Sequence, residues 1–226
     1  MLKVGIIDSG LPTSYGFSLL AARDFTGASS TTDQLGHGTA VTNIISNNLS
    51  ADIVSARVFY DKLVCTPSQI ADAIQWLISM KVDIINMSFG LRNDRSVLRD
   101  ACEQALASNI ILVAAAPSQG EPVYPSNYGG IIRATGDARC KQGEISWLNS
   151  QQTDFGGYSG TPHFGPAGAS IGCASVTACI SQLKVQHPHD NQHALMETLI
   201  QQSSYQGTQR KNLARYLLWK IKSIQK

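Results

Sequence analysis

No apolar run in this 226-residue chain is long enough to span a membrane, and the N-terminal "MLKVGIIDSG" enters a strand-like run with no secretory h-region. The five cysteines (Cys65, Cys102, Cys140, Cys173, Cys179) form no CxxC pair, and their number is odd. Most sit among apolar or small residues, so they read as free thiols in a reducing compartment, and a cytoplasmic protein is expected. No cluster of acidic loop residues argues for calcium, so no metal and no cofactor are expected. There is no internal repeat, low-complexity stretch or clear domain linker. Charge is sparse, at 15% of residues and a net +2, and no nucleic-acid partner is expected. What charge there is lies unevenly. Residues 208–226 hold six basic residues (Arg210, Lys211, Arg215, Lys220, Lys222, Lys226) and no acid, while the rest carries 12 basic against 16 acidic.

Hydrophobic residues make up 43% of the chain, enough for a sizeable core. The segments "LKVGII", "ADIVSARVF", "VDIINMS", "NIILVAAA" and "GIIRATG" are nearly continuous apolar runs, as in strands buried on both faces. Between them helices are expected near residues 38–47, 67–80 and 94–108. In the second, Ile70, Ala73, Ile74, Leu77 and Ile78 repeat at helical spacing. This rhythm implies crossover units, hence an α/β fold with a mostly parallel sheet and helices on both faces. Residues 117–130 and 136–168 are loop-rich, and in such folds the loops after strand C-termini build the site.

Three polar residues stand at element ends. Asp8 ends the first strand in "VGIIDSG". His37 starts a helix in "GHGTAV", where flanking glycines are expected to leave the imidazole accessible. Ser170 opens a helix in "GASIGCASV", where free N–H groups and the helix dipole favour an anion. Each has an ordinary structural explanation: turn-former, helix cap, or small residue at a helix contact. Together they supply an acid, a base and a nucleophile in the order Asp, His, Ser. "HPHDNQH" gathers His187, His189 and His193, which read as a polar loop between helices in preference to a metal site.

That order, with these motifs, resembles the subtilisin-like serine proteases, or subtilases. "VGIIDSG" is similar to the family's aspartate motif and "GHGTAV" to its histidine motif. "VDIINMSFG" is similar to its strand ending in Ser-x-Gly, and "IILVAAA" followed by "YPSNYGGIIRATG" to its next strand, loop and strand. The resemblance covers roughly residues 3 to 185. It implies a three-layer α/β fold and endopeptidase chemistry: Asp8, His37 and Ser170 as the triad, with an extended peptide substrate pairing along Ser88, Phe89 and Gly90 opposite Ala115 and Ala116.

The departures are specific. The family's Gly-Thr-Ser-x-Ala-x-Pro reads Gly168-Ala169-Ser170-Ile171-Gly172-Cys173-Ala174 here. Upstream, "YSGTPHFG" imitates the same motif but puts Pro162 where the serine would be, so the later register is chosen. Where the family has Gly-Asn, whose asparagine donates to the oxyanion, this chain has Pro117-Ser118, which leaves Ser118 or Asn127 as substitute donors. Ala40 stands where a second histidine is common. A peptidase domain over 1–207 is expected, followed by a basic amphipathic helix over 208–226 on which Leu213, Leu217, Ile221 and Ile224 form one stripe. That helix is expected to pack on the domain; docking to a partner or an anionic membrane surface is the rival reading. The implied function is a serine endopeptidase, in the manner of an intracellular protease that matures peptide precursors. A catalytically weak peptide-binding module and an acyl-transferring ligase or macrocyclase are the alternatives.

Overall fold

The computed structural model describes residues 1–160 and 167–208. Thr161 and Pro162 of the rival motif, and the 209–226 portion of the basic C-terminal segment, lie outside the described residues.

The elements run β1 (Leu2–Asp8), β2 (Ser18–Asp24), α1 (His37–Ser46), β3 (Ala51–Arg57), α2 (Pro67–Ser79), β4 (Ile84–Met87) and α3 (Ser96–Ala107). They continue as β5 (Ile111–Ala115), β6 (Ile132–Gly136), β7 (Ile145–Trp147), β8 (Phe155–Gly157), α4 (Ala169–Gln186), α5 (Gln192–Gln202) and β9 (Tyr205–Gln206). The strands form one nine-stranded sheet in the order β2-β3-β1-β4-β5-β6-β8-β7-β9. Every pairing is parallel except β7 with β8. The fold is α/β in three layers, as the apolar runs imply.

Successive side chains of a strand point to opposite faces, so a strand covered on both sides needs apolar residues throughout. Val4 and Ile6 of β1, Ile84 of β4 and Ile111 and Val113 of β5 join α1, α4 and α5 in one core. Ile7, Ile85, Met87, Leu112 and Ala114 join α2 and α3 in the other. This parity places the site. Asp8 has the parity of Val4 and Ile6, and Asn86 and Ser88 that of Ile84, so all three face the layer of α1 and α4.

Local chemistry starts the helices. Thr66 and Gln69 form a capping box on α2, with Pro67 at its first position. α1 lacks a side-chain cap at Gly36. The carboxylate of Asp33 replaces it, accepting from the backbone N–H groups of Leu35 (2.9 Å), Gly36 (3.0 Å) and Thr39 (2.7 Å). After β3 the chain leaves the core in an exposed segment, where Leu63 is 53% and Val64 75% accessible.

Two features are not signalled by the sequence: the hairpin β7–β8 lies inside a stretch expected to be loop, and β2 forms a sheet edge. The histidine-rich stretch does join two helices, although α5 begins at Gln192, inside it. His187, His189 and Asp190 do lie between α4 and α5, and His193 sits in α5 beside Glu197 at 3.3 Å. All five cysteines are free. No described helix is long and apolar enough to cross a membrane.

Candidate active site

In an open parallel sheet the ligand crevice lies outside the strand C-termini, where the strand order reverses. β1 is that strand here: the chain passes from β1 to β2 and β3 on one side, then returns to β4 on the other. Asp8 is its last residue and His37 the first residue of α1.

The structure joins these two directly. His37 Nδ1 lies 2.6 Å from Asp8 Oδ1, with Asp8 only 1% and His37 8% accessible. An ionised carboxylate accepts only, so Nδ1 carries the proton and donates, leaving Nε2 as the lone-pair nitrogen of the neutral ring. Asp8 Oδ1 also accepts from the Ser9 backbone N–H at 2.7 Å. Burial opposes charging of the imidazole. The hydrogen bond and charge of Asp8, with the charge of Asp33 behind it, outweigh that and raise the His37 pKa above its ordinary 6.5.

The glycine-flanked histidine is less accessible than expected. The first turn of α1 presses against the start of the β1–β2 connection, and a Cβ on Gly38 would overlap the Gly10 carbonyl. Gly38 therefore permits close approach, and that approach buries His37. Ser9, unnoticed in the sequence, locks the contact. Its hydroxyl accepts from the Gly38 N–H at 2.8 Å and donates to Asp33 at 2.8 Å. Burial also works against ionisation of Asp33, but hydrogen bonds from Thr39, Ser9 and Leu35 hold its carboxyl below the usual range.

Ser170 is the second residue of α4, which packs against α1. Its backbone N–H, in the first helical turn, has no partner among the described residues. Its hydroxyl donates to the Ser88 carbonyl at 2.7 Å, and the Ser88 hydroxyl donates back to the Ser170 carbonyl at 3.0 Å. The Ser170 side chain is therefore held by Ser88 and not by His37. Cys173, one turn along α4, is fully buried, and burial pushes its thiol up to about 12, so it is no rival nucleophile.

Ser88, Phe89 and Gly90 follow β4 directly. Phe89 meets Phe59 edge-on at 5.6 Å, and Gly90 lies against Val123. Leu91 and Tyr124 then bridge antiparallel, with mutual bonds of 2.7 and 2.8 Å. The main-chain groups of Phe89 and Gly90 make no hydrogen bond among the described residues, which leaves an edge that an extended peptide could pair with. Ala115 ends the neighbouring β5 and Ala116 follows it; both are buried, and the Ala116 N–H donates to the Ala134 carbonyl at 2.8 Å.

Both oxyanion candidates lie in the connection between β5 and β6. Ser118 is exposed in the loop after β5. Asn127 is exposed on the turn after Pro125, where its amide donates to the Tyr124 hydroxyl at 3.4 Å. It lines a hollow of about 390 Å³ with Asp94, Arg99 and Tyr128, beside α3. No bond joins either residue to Ser170 among the described residues.

A model of the Subtilase family matches residues 2–216. The chain belongs to that family. This subtilase is 31% identical over 149 residues to subtilisin DY of Bacillus licheniformis, covering 58% of this chain and 54% of that protein. The match thus spans about half the length of that relative. Among solved structures, sphericase superposes with a TM-score of 0.67 at 20% identity, over 88% of this chain and 82% of that one. The prenylagaramide maturation protease PagA does so with 0.61 at 17% identity, over 84% and 78%. The latter two likenesses establish that this subtilase shares their fold.

Proposed function

We propose that this chain is a serine endopeptidase in which Asp8, His37 and Ser170 act as a triad. The observation that carries the reading is the buried 2.6 Å bond from His37 to Asp8, on the layer where α4 presents Ser170. Ser170 Oγ leaves the Ser88 carbonyl and attacks the scissile carbonyl carbon. Its proton passes to His37 Nε2, which then gives it to the departing amine. Asp8 holds the imidazole tautomer and stabilises the imidazolium. The Ser170 N–H at the positive end of α4 faces the developing oxyanion. The substrate is a peptide lying extended along Ser88–Gly90, with Ala115 and Ala116 opposite. Free cysteines suit a reducing compartment, and the fold shared with a protein named as a maturation protease supports precursor processing in the cytoplasm.

A fluorophosphonate probe tests this reading. The label is expected on Ser170 and lost in Ser170→Ala and His37→Ala; a label mapped to any other serine or threonine sinks the assignment.

One observation favours a weaker catalyst that holds peptides more than it cleaves them: Pro117-Ser118 occupies the place of the family's oxyanion asparagine, and Ser118 is exposed. The double change Pro117→Gly with Ser118→Asn is therefore expected to raise kcat, by up to about 10²–10³, with KM moving much less. A lower kcat in the folded double variant would mean that the native loop already supplies the donor.

A further inference from the structure

We infer that Thr177 and Asn86 are positioning residues that set the direction of the Ser170 peptide unit, an inference that rests on Ser170 being the nucleophile. Asn86 is a carboxamide in the middle of an apolar strand, fully buried, in parallel register with Ile6 of β1. A group of this kind is tolerated in a core only when its hydrogen bonds are met. Three of its partners lie on one path. The Thr177 hydroxyl donates to Asn86 Oδ1 at 2.8 Å, and the Cys173 thiol approaches the same oxygen at 3.4 Å. Asn86 Nδ2 donates to the Ser88 hydroxyl at 2.9 Å, and that hydroxyl donates to the Ser170 carbonyl at 3.0 Å.

The path has a direction, and Thr177 sets it. With the Thr177 hydroxyl and the Cys173 thiol both donating from α4, the oxygen points to α4 and the nitrogen to Ser88. Were the amide reversed, its oxygen would face Ser88 and compete for the single hydroxyl proton that now binds the Ser170 carbonyl. Removing the Thr177 hydroxyl removes the stronger of the two donors and leaves only the Cys173 thiol, a weak donor at 3.4 Å, to select the working orientation. Thr177 is two helical turns from Ser170, roughly 10 Å along the axis, and fully buried, so it cannot touch a substrate. Its hydrogen-bonded route to Ser170 runs through Asn86 and Ser88. A small misplacement of a reacting group is enough to lower the rate strongly while leaving peptide binding along Ser88–Gly90 unchanged.

The test compares wild type with Thr177→Val and Thr177→Ser, using fluorophosphonate labelling rates and kcat and KM on a peptide ester, all per folded molecule. Thr177→Val keeps the shape and loses the hydroxyl; its labelling rate and kcat are expected to fall about tenfold or more at constant KM. Thr177→Ser is expected to restore both. Thr177→Ala removes the same hydroxyl and gives the same readout should the valine variant fail to fold. A wild-type rate in the valine or alanine variant, no rescue by serine, or a loss confined to KM or to melting temperature overturns the inference. A wild type that takes no label overturns the hydrolase reading itself, and this inference with it; a labelled wild type with an unaffected Thr177→Val overturns the inference alone.

Discussion

Asp8→Asn is expected to leave the fold intact and to lower kcat by about 10⁴. Asparagine has the size of aspartate, so the buried site stays filled. Its amide can donate to His37 Nδ1, however, which moves the ring proton to Nε2 and removes the lone pair that should accept the Ser170 proton. The pH dependence distinguishes this from mere disturbance. Wild-type His37 must be neutral to act as a base, and its pKa is raised, so kcat/KM should fall on acidification through a pH above 6.5. In Asp8→Asn the raising influence of Asp8 is gone and burial remains, so the acid limb should move to lower pH. Stability carries the same signature. A group with a raised folded pKa adds stability below its unfolded pKa and loses it as pH rises through the folded one. The wild type's advantage over Asp8→Asn should therefore be larger near pH 5 than near pH 9. An acid limb that stays in place would dissociate His37 and Asp8 from the rate-limiting chemistry.

Gly172→Ala is expected to be strongly damaging for so small a change. In an ordinary exposed helix this replacement gains about 1 kcal/mol. Here the sign reverses, because a Cβ at Gly172 would overlap the carbonyl of Thr135 and the N–H of Gly136, both backbone at the end of β6. Neither can rotate aside, so the first turn of α4 must lift from the sheet. Overpacking of this kind destabilises by about 1–3 kcal/mol and sometimes more, and the upper end applies when both partners are backbone. Ser170 lies in the same turn, so whatever folds should also show kcat lowered by about 10². Chemical unfolding followed by kcat on the folded fraction checks both. A variant as stable as wild type would show that α4 does not rest on β6 as described.

The parts of the fold that could be read from the sequence are those governed by local rules. β1, β3, β4, β5 and β6 announce themselves because burial on both faces demands unbroken apolar runs, and α2 because its apolar residues keep the helical period. β7 and β8 are three residues each, and "FGG" carries almost no strand signal; they exist because of pairing with each other and with β6. α5 buries only Leu195 and Leu199, too few to mark a stripe. The same division holds in the site. Asp8 and His37 stand in motifs, and the structure brings them together. The Ser88–Ser170 exchange and the Thr177–Asn86 bond link positions 82 and 91 residues apart, and no local pattern encodes such a partner. Asn86 passes unremarked inside the apolar run "VDIINMS", although a buried carboxamide needs a partner.

The exposed segment after β3 separates the candidate machinery into two unequal portions. Asp8 and His37 lie before it and Ser88, Asn86 and Ser170 after it, while β1 is hydrogen-bonded to β3 on one side of the divide and to β4 on the other. Opening the chain between Lys62 and Leu63 would yield one piece with the proposed base and its carboxylate and another with the proposed nucleophile, neither holding the whole proposed triad. Their mutual affinity would then be readable as turnover, which makes this subtilase a natural template for a two-component reporter whose signal is the docking of β1 against β4.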